Sequence, residues 1–192
     1  MTNIAIFASG SGTNAEAIMD HFAGSTVGRV SLLLSNRADA YALTRAERHG
    51  VPTAVFTRDD FREPTGRVAS LLQEFRIDFV VLAGFLWLVP EPLTERYAGR
   101  IVNIHPALLP KFGGRGMYGD RVHEAVLAAG EKESGITIHL VNERYDSGDT
   151  LFQATVPVSA DDTPETLAAK IHTLEHRHFP PVIERTIREL GV

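Results

Sequence analysis

The sequence contains no cysteine, which excludes disulfides, thiolate nucleophiles and cysteine-ligated metals from any account of it. No apolar run approaches the roughly 20 residues that a membrane-spanning helix needs, and the opening MTNIAIFASG carries neither a basic flank nor a long apolar core. A cytoplasmic location is the expectation. Positive charge is also short: 19 Lys and Arg face 24 Asp and Glu, for a net charge of −5, and the basic residues are scattered. Without a basic stripe there is nothing to neutralise a nucleic-acid backbone, so anionic partners must be small and locally held.

What is present suits one folded unit. A chain of 192 residues, 44% hydrophobic and 22% charged, is large enough for one core and small for two, so a single domain over 1–192 is expected. Ile4 to Ala8 is a short apolar run closed by SGSGTN, the pattern of a buried strand ending in a glycine turn, and a helix follows from Asn14 to Phe22. Further strands are read at Val30–Leu34, Val51–Phe56, Phe79–Ala83 and Arg100–Ile104. Helical patterns lie between them, including one from about Pro64 to Phe75 and a short one from Pro92 to Tyr97. The second half is organised differently. It offers a helix from Arg121 to Ala129, two alternating strands in GITIHLV and TLFQATVPV, and a long final helix entered through Thr163 and Pro164, with a bend expected near Pro180 and Pro181. The fold class is therefore three-layer α/β, a Rossmann-like and mostly parallel sheet with an antiparallel C-terminal strand pair.

Four places could carry chemistry. SGSGTN places glycines between a strand and a helix, where the first helical amides point at a ligand, as in phosphate sites. Its Gly10, Gly12 and Ala15 approach the dinucleotide fingerprint, but the acidic residue expected about 20 positions on is missing, Ser35 and Asn36 standing there instead. A turn needed only for strand-to-helix geometry is the alternative. In NIHP, Asn103 and His105 are two apart on a strand and share a face, so they form either a capped strand end or a convergent pair in which an amide donor and an imidazole serve acyl transfer. YDSGD brings Asp146, which is simple turn chemistry unless it folds over His105 and orients the ring. His139 alternates away from Ile136, Ile138 and Leu140 and is a pocket-lining candidate. His172 and His176 are spaced i,i+4, but no carboxylate or third ligand completes a metal motif, and no metal is expected.

Taken in order, FASGSGTN, LSNRADA, VVLAGFLWLVP, IVNIHPALLPKF, HEAV, GITIHLVNERYDSGD and the trailing LEH resemble the folate-dependent formyltransferases over nearly the whole chain. The resemblance implies that the phosphate of glycinamide ribonucleotide sits on Gly12, Thr13 and Asn14, with its amine toward Asn103 and His105 and with Glu175 beside it. It implies 10-formyltetrahydrofolate as co-substrate, its pterin against the backbone of Leu86, Trp87, Leu88 and Val89, and Arg62 and Asn103 as further folate contacts. Asn103, His105 and Asp146 would carry the reaction without a metal, in a monomer or homodimer. Residues 1–100 would form the phosphate-binding half and 101–192 the catalytic and folate-binding half. The loop from Lys111 to His123 is several residues longer than in shorter family members, and nothing is carried over to positions 113–122. Formyltetrahydrofolate hydrolases and methionyl-tRNA formyltransferases share this core, but length and charge speak against both. A nucleotide-binding redox module is a different class, against which the missing ribose-binding acid counts.

Overall fold

The computed structural model describes residues 1–191. In chain order the elements are β1 (Thr2–Phe7), α1 (Thr13–Phe22), β2 (Gly28–Ser35), α2 (Tyr41–Arg48), β3 (Thr53–Val55), α3 (Arg58–Arg62), α4 (Arg67–Glu74) and β4 (Phe79–Leu82). Then come α5 (Glu91–Arg96), β5 (Ile101–His105), α6 (Asp120–Ala128), β6 (Glu133–Leu140), β7 (Thr150–Pro157) and α7 (Pro164–Leu190). They build one seven-stranded sheet of order β3-β2-β1-β4-β5-β6-β7. The first five of these strands in space are parallel; β6 runs antiparallel to both β5 and β7.

The period of two along each strand sends alternate side chains to opposite faces. Ile4 and Ile6 enter a core with Ile18 of α1, Ala42 of α2, Val126 of α6 and Ile171 of α7. Ala5 and Phe7 enter another with Phe61 of α3, Leu72 of α4 and Leu93 of α5. Because successive helices leave to opposite faces where β1 meets β4, a crevice opens at the carboxyl ends of those strands, the usual ligand position in such sheets.

Two departures from the expected elements have physical causes. The short α3 is an unexpected helix, started by a capping box in which Asp60 N–H donates to Thr57 Oγ1 at 3.2 Å and Thr57 N–H donates to Asp60 Oδ2 at 2.8 Å. The next helix begins at Arg67, later than Pro64, because residues 63–66 form a turn with Gly66 N–H donating to Glu63 O at 2.9 Å. The expected antiparallel pair, β6 with β7, is present, and β6 is inserted between β5 and β7, antiparallel to both. That insertion depends on Gly135, where an added Cβ would lie 2.0 Å from Ala154 O and 2.7 Å from Leu108 Cδ2. Gly135→Ala is expected to destabilise the fold by about 1–3 kcal/mol, as overpacking does, read as a lower urea midpoint with an unchanged m-value.

Candidate active site

At the end of β1, Ser9 ties three strand ends together. Its N–H donates to Gly84 O at 3.1 Å, its hydroxyl donates to Asn36 Oδ1 at 2.7 Å, and the same oxygen accepts from Leu86 N–H at 3.2 Å. Asn36, near the position where a ribose-binding acid would stand, is thus committed to holding the turn. Gly12 follows at φ 76°, and a Cβ there would meet Ala42 Cα at 2.5 Å, so the turn requires glycine for both conformation and space. Helix α1 starts immediately after it with no side-chain cap, leaving its first amides for a ligand. Arg45 fixes the turn from outside by donating to Ser11 O at 2.9 Å and pairing with Glu16.

At the end of β5, Asn103 and His105 do share a face, and β6 sets His139 directly opposite Asn103. His139 Nδ1–H donates to Leu140 O at 2.8 Å, and its Nε2 lies 3.2 Å from Asn103 Nδ2 and 3.5 Å from Asp146 Oδ1. The same amide nitrogen reaches Asp146 Oδ1 at 3.5 Å. Asp146 does fold over His105: its Oδ2 lies 3.5 Å from Nδ1 of the ring and accepts from Gly114 N–H at 2.9 Å. On the other side of the ring, Nε2–H donates to Phe112 O at 2.7 Å. The exit from the strand is held by buried Thr137, whose hydroxyl donates to Ala107 O at 2.7 Å and accepts from Leu109 N–H at 3.0 Å. The Leu109–Pro110 peptide in this exit is cis.

The electrostatics of this cluster run against a simple ion pair. Burial lowers the His105 pKa below 6.5, and the upward pull of Asp146 and of the Phe112 carbonyl does not offset it. The resting ring is neutral near pH 7, a difference from the imidazolium that an acidic neighbour alone would favour. Burial pushes Asp146 upward, but the contact with His139, the proximity of His105 and the Gly114 amide outweigh it, and its carboxyl sits below the usual range. His105 thus has an acceptor at each ring nitrogen, Phe112 O at Nε2 and Asp146 Oδ2 at Nδ1.

A cavity of about 640 Å³ joins these pieces. The glycine turn with Thr13 and Asn14, the stretch Leu86–Val89, the Asn103–His105–Asp146 cluster and Glu175 all line it. Glu175 is 5% exposed and accepts from Asn14 Nδ2 at 2.9 Å; burial raises its pKa against the opposing effects of Asn14 and His172. Arg62 lies elsewhere. It lines an adjoining cleft of about 460 Å³ that shares Trp87, Leu88, Val89 and Tyr145 with the main cavity, and there Arg58 stacks on the Trp87 ring at 4.7 Å. Among the described residues no helix is long and apolar enough to cross a membrane, and no group of three or more His, Asp or Glu is placed to hold a metal ion.

Comparison with known proteins then decides the family. Residues 2–183 match the family model described as Formyl transferase. The chain belongs to the formyl transferase family. A phosphoribosylglycinamide formyltransferase of Haemophilus influenzae is 38% identical across 96% of this chain and 86% of its own length. The chloroplastic phosphoribosylglycinamide formyltransferase of Arabidopsis thaliana is 44% identical across 94% of this chain, which spans 63% of that protein. The crystal structure of glycinamide ribonucleotide transformylase 1 from Symbiobacterium toebii superposes with a TM-score of 0.89 at 38% identity, over 98% of this chain and 89% of its own.

Within this formyl transferase, sequence reasoning missed several cavity residues. His172, weighed in the sequence only as half of an i,i+4 metal pair, is in the wall. His123 is 2% exposed with an unpartnered Nδ1, and HEAV gave no periodic signal to distinguish it from a core histidine. The Phe112 carbonyl and Gly114 amide act through the backbone, which side-chain patterns do not reveal. Nor does the cavity respect a division at residue 100, because Leu86–Val89 line it from the first half alongside Asp146 and Glu175 from the second.

Proposed function

We propose that this chain transfers the formyl group of 10-formyltetrahydrofolate to the amine of glycinamide ribonucleotide. The observation that carries this reading is the meeting of an amide, a neutral buried imidazole and an ionised carboxylate, each of the first two within 3.5 Å of the third, in a cavity that also receives the uncapped amides of α1. The acceptor phosphate rests on Gly12, Thr13 and Asn14; the amine extends past Glu175 toward Asn103 and His105. The pterin lies along Leu86–Val89, with the folate's further contacts to Arg62 in the adjoining cleft.

In the reaction the neutral amine attacks the formyl carbon, forming a carbon–nitrogen bond and turning the carbonyl oxygen into an oxyanion. Asn103 donates to that oxygen, an interaction worth roughly 3 kcal/mol where such donors have been removed. Negative charge beside His105 adds to the upward pull of Asp146 and offsets the cost of burial, so the ring takes up the proton that the amine loses. As the bond from carbon to the folate nitrogen breaks, that nitrogen receives the proton and the ring returns to neutral. Asp146 never needs to give up its charge; it supplies the counter-charge while the imidazolium exists.

The decisive assay follows consumption of 10-formyltetrahydrofolate with glycinamide ribonucleotide or with water alone as acceptor. Consumption that requires the ribonucleotide is expected. Equal consumption without it would make the chain a hydrolase and overturn the reading.

A further inference from the structure

In the loop after Phe112 the glycines at 114, 116 and 119 all adopt positive φ. It does not stand away from the site. Arg115, Met117, Tyr118 and Arg121 line the main cavity. The loop is tied at its start to the reacting cluster through Phe112 O on His105 and Gly114 N–H on Asp146. The Arg121 guanidinium stacks on the Tyr118 ring at 5.2 Å, which restrains both side chains.

The balance of charge in the cavity gives this loop its meaning. A phosphate monoester brings close to two negative charges, and the glycine turn answers with neutral groups alone. Arg45, which holds the turn from outside the cavity, is committed to Glu16 and Ser11 O, and Arg37 of the cavity wall is paired with Asp39 at 2.8 Å. Arg115, Arg121 and Arg144 are the other arginines of the cavity wall, and among the described residues none of the three has a carboxylate within ion-pair distance. Arg144 precedes Tyr145, which faces the adjoining cleft with Arg62. Arg121 lies in the first turn of α6, which packs on α7, and α7 packs on α1. Those three helices cover the same sheet face, whereas α3, carrying Arg62, covers the opposite one. The loop arginines therefore lie on the side of the phosphate turn.

We propose that Arg115 and Arg121 form the cationic wall that receives the acceptor's phosphate, so that this loop selects phosphorylated acceptors over their nucleosides. This rests on the formyl-transfer reading above. Guanidinium groups bind phosphate oxygens through paired, charge-assisted hydrogen bonds, and exposure reduces what each contributes.

The test compares wild type with R115A/R121A on glycinamide ribonucleotide and on the dephosphorylated nucleoside. The double variant is expected to lose about five- to fiftyfold in kcat/KM for the ribonucleotide and less than about threefold for the nucleoside, with R115K/R121K recovering part of the loss. A similar loss on both acceptors would reduce the loop to a structural element. A rise confined to the KM for the folate would assign the arginines to the folate carboxylates. Either result, or no change, overturns the proposal. Calorimetric titration with ribose 5-phosphate reads the same wall without turnover. Weaker binding by the double variant is expected, and equal binding would refute the wall. If the wild type transfers no formyl group, the reading of function fails, while this titration still judges the arginines separately.

Discussion

His105→Ala is expected to lower kcat by about a thousandfold or more, within the range that positioned acid–base groups supply, with little change in either KM. The ring is 4% exposed, and its removal leaves the Phe112 carbonyl without its donor, so a stability loss of about 1–3 kcal/mol should accompany the change. Urea unfolding separates the two effects: a variant that remains folded at the assay temperature and yet has lost turnover locates the loss in chemistry. His105→Gln, which can still donate to Phe112 O but cannot shuttle a proton, should recover much of the stability and almost none of the rate. Turnover within about tenfold of wild type in the alanine variant, well short of what an acid–base group supplies, would remove His105 from the mechanism.

Asp146→Asn is expected to cost about 100- to 10,000-fold in kcat and also to move a pH limb, which a merely structural role would not do. The sign follows from the contacts. His105 already sits below 6.5 because burial outweighs the attraction of Asp146. An amide at this position keeps an acceptor for Gly114 N–H but removes the negative charge, so the ring becomes harder still to protonate. The midpoint for protonation of His105, followed by NMR of its labelled ring, should shift to lower pH, and so should any acidic limb of kcat/KM that reports it. A midpoint that stays in place or rises would mean that Asp146 does not act on His105 through its charge.

These two residues were not equally legible in the sequence. Asn103 and His105 stand two apart at the end of an apolar strand, and alternation alone placed them on one face. Asp146 lies about 40 residues downstream in a turn that could equally have been solvated. Its approach depends on φ 52° at Asp146 itself and on Gly148, where a Cβ would be 1.8 Å from Leu140 O. Local patterns do not encode such close approaches, so it was the family resemblance that linked YDSGD to NIHP. The parallel strands were legible because each is short, apolar and followed by a helical period. The place of β6 between β5 and β7 was not, because it follows from pairing between segments far apart in the chain, and α3 was too short to show a period. Arg62 marks the same limit: the family resemblance suggested a folate contact, but only packing shows that it faces the adjoining cleft.

The neutral resting state of His105 was likewise beyond sequence reasoning. The carboxylate neighbour argued for an imidazolium, and the degree of burial that reverses the balance is a property of the assembled sheet and loops. In the proposed reaction the ring therefore gains its proton during turnover rather than bringing one to it.

The most direct measurement follows an isotopic label in the formyl group through one turnover, in wild type and in His105→Ala, with folate binding monitored in both. The expected result is label on the amine of glycinamide ribonucleotide with wild type, and retained folate binding without transfer in the variant. Label released as formate by the wild type, or undiminished transfer by the variant, would contradict the account.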